Sequence, residues 1–360
     1  MRDRGRVAMA NHHTHWRGGK VRYRRGRRRQ SSGRWDHVYA AVDLGTNNCR
    51  LLVARPDRNG FRVIDSFSRI VRLGQGVGLS GRLAEDAMER TIAALRICAN
   101  KMRRRGVTIS RGIATQACRE ADNGDEFLGR VSEETGIELD IIGPAEEAAL
   151  AVAGCAPLLD QDCENGLVFD IGGGSTEVMW LRLCPDKSPE LLAWTSLPCG
   201  VVTLAEAYGG RDVPAETYRE MVDSIFEMLE PFEAAHGLRG PVSCGKAQML
   251  GTSGTVTTLA ALKLGLERYE RRRVDGAWLA ADDIGVVSRA LAAMSYEDRA
   301  RHPCIGEGRA DLVIAGCAIF DAIFRTWPAP WVRVADRGVR DGMLFHLMEA
   351  ADAAASCRAN

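Results

Sequence analysis

The 360-residue sequence has no hydrophobic run long enough to cross a membrane. A transmembrane helix needs about 20 consecutive apolar residues, whereas the longest candidate, residues 312–324, is shorter and contains Asp321. Aromatic residues are also scarce, at 6%, while 46% of residues are hydrophobic and 26% are charged. This composition is typical of a globular protein outside the membrane, and the length allows two domains.

The cysteines lack the spacing of a metal or redox motif. There are 11 of them, an odd number, and no two form a Cys-x-x-Cys pair. The N-terminal region also lacks the continuous apolar segment of a secretory leader. We therefore expect reduced thiols in a cytoplasmic protein, without a disulfide framework or a zinc site.

The net charge of +1 conceals an asymmetry along the chain. Residues 1–35 contain twelve Lys or Arg and one Asp, a net charge of +11, so the remaining residues carry −10. Their low apolar content predicts a disordered basic arm. Such an arm could bind RNA or another phosphate polymer, or it could be a passive extension.

Two stretches share one local pattern of an apolar strand, an Asp, a turn with Gly and hydroxyl residues, and a second strand. The first spans residues 38–53 and contains Asp43, and the second spans residues 166–180 and contains Asp170 and Glu177. Glycines let backbone N–H groups approach a phosphate, and nearby carboxylates suit Mg²⁺. One such turn alone would more often be an ordinary Gly-rich hairpin. Two copies predict a duplicated α/β domain with a phosphate ligand between the halves.

The remaining patterns divide the chain into two halves. Residues 84–105 have helical spacing, residues 113–117 have the composition of a strand, and Pro144 opens a helix that reaches about residue 159. We place the first domain at residues 36–150. The second domain follows at residues 151–360 and ends in a closing helix over residues 338–354.

Six separated motifs carry a resemblance to a known family. They lie at residues 42–47, 114–120, 146–148, 170–177, 251–255 and 337–342. Over roughly residues 36–345 the chain resembles the exopolyphosphatase / guanosine pentaphosphate phosphatase (Ppx/GppA) family, in its short form without the C-terminal phosphohydrolase-like domain. The resemblance implies a two-domain duplicated actin-like (ribonuclease H-like) α/β fold and a homodimer.

The resemblance also implies roles for individual residues. Glu147 matches the family's general base, although the residues alone leave the adjacent Glu146 open, and Arg119 matches a phosphate-clamping arginine. The expected Mg²⁺ carboxylates are Asp43, Asp170 and Glu177. The expected phosphate-binding residues are Thr46, Asn47, Asn48, Gly172, Gly173, Gly174, Ser175, Gly251, Ser253 and Gly254.

The function implied is Mg²⁺-dependent removal of terminal orthophosphate from inorganic polyphosphate. Guanosine pentaphosphate presents the same terminal anhydride, so the catalytic residues do not separate the two substrates. A third interpretation is a nucleotide- or polyanion-binding protein that uses the same fold without hydrolysis.

The arm gives a first testable prediction. Deleting residues 1–33 should weaken binding of long polyphosphate at low salt but leave hydrolysis of short chains unchanged, because the predicted catalytic residues follow the arm. Neutralising about four phosphates would give a log–log slope of affinity on salt near −3. Salt titrations of the full-length and truncated proteins test this, and identical slopes would make the arm a passive extension.

Overall fold

The computed structural model describes residues 33–58, 60–160, 162–184 and 188–359. Most of the basic arm lies outside these residues, so its disorder stays a prediction. Its last residues, 33–35, belong to a 3-10 helix at Gly33–Asp36. Within the described residues, no helix is both long and apolar enough to span a bilayer.

The first half of the chain builds one five-stranded sheet. Its strands are β1 (Tyr39–Leu44), β2 (Asn48–Asp57), β3 (Gly60–Ile70), β4 (Ile109–Ala114) and β5 (Asp140–Ile141). Their order is β3-β2-β1-β4-β5. The central strand β1 is antiparallel to β2 and parallel to β4. The first four residues of β1 are fully buried, because both faces of the sheet are covered.

The second half builds a six-stranded sheet with the same central pairing. Its strands are β6 (Asn165–Ile171), β7 (Thr176–Arg182), β8 (Glu190–Leu197), β9 (Ala247–Thr252), β10 (Trp278–Ala280) and β11 (Trp331–Ala335). Their order is β10-β11-β9-β6-β7-β8. The central strand β6 is antiparallel to β7 and parallel to β9. The predicted duplication of an actin-like α/β domain is therefore confirmed.

Helices cover the faces of both sheets. The first half contains α1 (Val77–Ser80), α2 (Glu85–Arg104), α3 (Gln116–Glu120) and α4 (Gly124–Thr135). The helix α5 (Pro144–Cys155) connects the halves and continues into a 3-10 turn at Ala156–Leu158. The second half contains α6 (Val201–Tyr208), α7 (Ala215–His236), α8 (Arg239–Ser243), α9 (Gly254–Lys263), α10 (Arg271–Val274), α11 (Ala281–Ala293), α12 (Tyr296–Arg301), α13 (Val313–Thr326) and α14 (Val339–Ala359).

The last helix, α14, packs on the first sheet although it ends the chain. Met343 and Leu344 lie in one core cluster with Tyr39, Ala41 and Leu52. The alternate residues of β1 point to the opposite face, where they pack against α2. The division drawn from sequence order, with residues 151–360 in the second domain, stays a prediction, although α14 of that range packs on the first sheet. An apolar sheet face needs a covering layer, and α14 supplies it.

The helices α5 and α14 cross at very short distance. A Cβ atom at Gly154 would lie 2.0 Å from the carbonyl oxygen of Gly338, and one at Gly342 would lie 2.0 Å from that of Leu150. Real Cβ atoms do not approach backbone oxygens this closely. Glycine is therefore required on both helices where they cross.

This crossing predicts the effect of adding one methyl group. Gly342→Ala should lower the free energy of unfolding by about 1–3 kcal/mol, because the two helices must separate to accept it. Gly129→Ala is the matched control, since this exposed helical glycine has open space around its Cβ position, and it should be neutral or slightly stabilising. Denaturation of both variants tests this, and equal stability would show that the close crossing is dispensable.

Candidate active site

Two carboxylates occupy matching positions in the two halves. Asp43 is the penultimate residue of β1, and Asp170 is the penultimate residue of β6. In the strand register, Asp43 lies opposite Arg50 of β2, and Asp170 lies opposite Glu177 of β7. The duplication therefore brings two acids to the same ends of the two central strands.

A cleft of about 780 Å³ lies between the two halves, and both acids line it. Glu147 of the connecting helix α5 also lines it. So do most of the residues predicted to bind phosphate. These are Thr46, Asn47, Asn48, Gly172, Gly173, Gly174, Ser175, Ser253 and Gly254.

The glycine turn of the second half lies directly against the turn of the first. A Cβ atom at Gly173 would lie 3.0 Å from the Cβ of Thr46 and 3.1 Å from the backbone nitrogen of Asn47. One at Gly174 would lie 1.7 Å from Oε1 of Gln116. These glycines allow the two phosphate turns to meet, in addition to leaving room for a ligand.

Glu147 lies in the first turn of α5, where Pro144 occupies a favoured starting position. Burial raises the pKa of Glu147 well above its usual value, and the charges of Glu177, Asp43 and Asp170 add to that rise, while Arg119 opposes it. Its Oε2 atom is buried without a hydrogen-bond partner among the described residues. A carboxylate oxygen that accepts no hydrogen bond, on a residue that lines a cleft, can accept one from a water molecule.

The adjacent Glu146 has a different environment. Its Oε1 atom accepts a hydrogen bond from the Arg111 guanidinium, and the residue does not line the cleft. Of the two neighbours, Glu147 is the one with access to a ligand in the cleft.

The remaining acids carry related pKa shifts. Burial raises the pKa of Asp170 to about 7, with a further contribution from Glu177 and an opposing one from Arg50. Burial also raises the pKa of Asp43, whereas the positive charges of Arg50 and Arg340 lower it. Burial raises the pKa of Glu177, although hydrogen bonds from Ser175 and Ser196 favour its charged form. Ionising these buried carboxyl groups costs free energy, and a bound cation would lower that cost.

The donor set fits Mg²⁺ that is bound together with a substrate. Among the residues that the structure describes, no group of three His, Cys, Asp or Glu side chains could hold an ion alone. Mg²⁺ commonly takes one or two carboxylates and completes its coordination with waters and substrate phosphates. Asp43 and Asp170 line the cleft, which suits this, whereas Glu177, beside Asp170 on the neighbouring strand, is 2% exposed and does not line it.

Two other predicted residues also lie away from the cleft wall. The Arg119 guanidinium donates to the carbonyl oxygen of Ile142 at 2.7 Å and lies 3.9 Å from Oε2 of Glu147. Gly251 is inside β9, where a Cβ atom would lie 2.4 Å from the Phe169 ring. Arg119 therefore lies near the site because it is next to Glu147. Gly251 instead allows close packing in the core of the second half.

The turn before α9 is strained where it reaches the cleft. Ser253 has a φ of 115°, a conformation that is almost confined to glycine. Its hydroxyl accepts a hydrogen bond from the backbone N–H of Thr255 at 3.2 Å and caps α9. The N-terminus of a helix attracts anions, so this predicted phosphate contact has a suitable geometry.

Three arginines that the sequence patterns did not single out line the cleft. Arg50, Arg309 and Arg340 have no carboxylate within ion-pair distance among the described residues, whereas the nearby Arg337 is paired with Asp275. Burial and the neighbouring Arg50 charge lower the pKa values of Arg309 and Arg340. Cations crowded in this way favour a ligand with several negative charges.

Gln116 is a further residue that local patterns did not indicate. Its Oε1 atom is buried without a partner among the described residues, as is Oδ1 of Asn47. Its amide nitrogen donates to Glu120 at 2.8 Å. Both unpaired oxygens lie where the two turns meet, so they mark the most polar part of the site.

Comparisons with known proteins identify the family of this chain. The sequence pattern of the Ppx/GppA phosphatase family matches residues 52–351. Exopolyphosphatase 2 of Mycobacterium tuberculosis is 32% identical over 300 residues, or 79% of this chain and 89% of the relative. A crystal structure of the Aquifex aeolicus family member has a TM-score of 0.71 at 29% identity, covering 86% and 97% of the two chains. An exopolyphosphatase from Cytophaga hutchinsonii shares the fold, with a TM-score of 0.79 at 23% identity and coverage of 87% and 98%.

The contrast between the two adjacent glutamates gives a prediction. Glu147→Gln should lower turnover by ~10²-fold or more, because the amide cannot accept a proton from water. Glu146→Gln is the matched control and should retain turnover, since Glu146 pairs with Arg111 outside the cleft. Phosphate release from saturating polyphosphate measures both. Near-normal turnover in the first variant and loss in the second would assign the base to Glu146.

Proposed function

Because the chain belongs to the Ppx/GppA phosphatase family and is a phosphoanhydride hydrolase, we propose that it removes terminal orthophosphate from inorganic polyphosphate. The name of the M. tuberculosis relative, exopolyphosphatase 2, supports this choice at 32% identity. The alternative of a binding protein without hydrolysis has less support, because Glu147 lines the cleft and its Oε2 atom accepts no hydrogen bond among the described residues.

The distribution of charge in the cleft carries the proposal. Asp43, Glu147 and Asp170 line the cleft, and so do Arg50, Arg309 and Arg340, which have no carboxylate within ion-pair distance among the described residues. Polyphosphate carries a negative charge on every unit. Such a chain can place its terminal phosphate at the acids and its following phosphates against the arginines, where guanidinium groups can bind phosphate oxygens in pairs.

In the proposed reaction, Glu147 acts on the attacking water. The water oxygen bonds to the terminal phosphorus while Glu147 accepts a proton from that water. The bond from phosphorus to the bridging oxygen breaks, and its electron pair stays with the shortened chain. Arg119 holds the carboxylate of Glu147 in place from 3.9 Å. The turns at Thr46–Asn48 and Gly172–Ser175 orient the terminal phosphate with their backbone N–H groups.

We assign the metal-binding role to Asp43 and Asp170, with Glu177 as the acid behind them. When bound there, Mg²⁺ would neutralise charge on the phosphate oxygens. The Ser196 hydroxyl donates to Oε1 of Glu177 at 2.8 Å and fixes its orientation. The raised pKa of Asp170, about 7, agrees with a carboxylate that functions beside a cation.

A direct assay tests substrate and metal together. Phosphate release would be measured from long polyphosphate, guanosine pentaphosphate and ATP, with Mg²⁺ and with excess chelator. We expect the highest kcat/KM for polyphosphate with Mg²⁺ and no activity in chelator, and the Glu147→Gln protein controls for a contaminating phosphatase. A higher kcat/KM for guanosine pentaphosphate would identify the nucleotide as the substrate, and full activity in chelator would overturn the metal assignment.

A further inference from the structure

An ion pair behind the phosphate turns connects the two halves. The two terminal guanidinium nitrogens of Arg72, Nη1 and Nη2, donate to the carboxylate of Asp311 at 2.8 and 3.0 Å. Both side chains are less than one-third exposed, so water weakens the pair less than it would on an open surface. Among the described residues, this is the only ion pair that joins a residue of 33–143 to a residue of 165–335.

On the first half, Arg72 belongs to a segment that holds the phosphate turn. The backbone N–H groups of Val71 and Arg72 both donate to the carbonyl oxygen of Asn47, at 2.9 and 3.0 Å. That of Gly74 donates to the carbonyl oxygen of Thr46 at 2.8 Å. The position of residues 71–74 therefore determines where the backbone of the turn lies.

Arg72 adopts an unusual backbone conformation in this segment. Its φ is 50°, in the left-handed region that ordinary residues seldom occupy. Such a conformation persists when surrounding contacts hold it. The backbone hydrogen bond to Asn47 and the ion pair with Asp311 are among the contacts that hold Arg72 in this conformation.

On the second half, Asp311 lies among residues of the cleft wall. Arg309 precedes it by two positions and Leu312 follows it, and both line the cleft. Arg72 also contacts the carbonyl oxygen of Gly308 at 3.4 Å, and Oε1 of Glu206 accepts from the backbone N–H of Gly76 at 2.9 Å. We call Arg72, Gly76, Glu206 and Asp311 the interdomain clasp.

We propose that the interdomain clasp positions the phosphate turn of the first half against Arg309 of the second, and so sets the affinity for the polyphosphate chain. Arg72 and Asp311 do not line the cleft, so they act through Asn47 and Arg309 and are positioning residues. The proposal rests on the proposed function for its substrate, although the geometry of the clasp is independent of it.

The proposal predicts a specific kinetic pattern. Without the clasp, a smaller fraction of free enzyme has both walls of the cleft in place, and apparent affinity falls by that fraction. At saturation the substrate bridges both halves and restores the arrangement. KM should therefore rise by about tenfold, within the usual range of coupling between sites, while kcat stays within about twofold.

Two variants remove the ion pair from opposite ends. Asp311→Asn removes the negative charge, and Arg72→Asn removes the positive charge with a residue that tolerates the left-handed region. Each should raise KM, and the double variant should cost no more than either single one, because the pair acts as a unit. Asp283→Asn is the control, since it breaks the Lys263 ion pair within the second half and should leave KM unchanged.

Amide hydrogen exchange gives a second readout that needs no substrate. In ligand-free protein, Asp311→Asn should speed exchange in residues 71–77, although the altered residue belongs to the other half, and Asp283→Asn should not. Unchanged KM and unchanged exchange would overturn the clasp. So would a fall in kcat at constant KM, which indicates loss of folded enzyme. Wild-type protein that fails to hydrolyse polyphosphate overturns the proposed function instead, and the exchange result then decides the clasp alone.

Discussion

Mutual repulsion among carboxyl groups is the constraint around which this molecule is arranged. The charges of Glu177, Asp43 and Asp170 all raise the pKa of Glu147, after its burial. A cluster of like charges does not stabilise a fold, so its position must be enforced by packing elsewhere. Two sheets with separate apolar cores provide that rigidity, and Arg50, Arg309 and Arg340 bring positive charge to the same cleft.

Much of the fold could be predicted because it is encoded locally. The two Asp-containing hairpins, the strand at Trp331–Ala335 and the long helices all have short-range patterns of apolar residues and turns. The strand predicted at residues 113–117 stops at Ala114, and α3 begins at Gln116. A short apolar run that is buried in either conformation cannot distinguish a strand from a helix by its period.

The remaining site residues had no local signal of their own role, although Gln116 and Arg340 lie within the motifs at residues 114–120 and 337–342. Arg50, Arg309 and Arg340 belong to elements far apart in sequence, and only the packing of the two halves brings them to one cleft. A chain with 48 Lys and Arg residues offers no means of choosing three of them from composition. The same holds for Arg72, whose partner Asp311 lies 239 positions away. Long-range ion pairs depend on tertiary structure, which pattern reasoning does not reach.

The position of α14 has a consequence for how the chain folds during synthesis. Tyr39, Ala41 and Leu52 emerge from the ribosome long before Met343 and Leu344, which cover them. Until then one face of the first sheet is bare, and an exposed apolar sheet is prone to aggregate. The second half can complete its own core before the first sheet is covered, so the nascent chain should fold out of sequence order. We expect it to depend on chaperones until α14 has been synthesised.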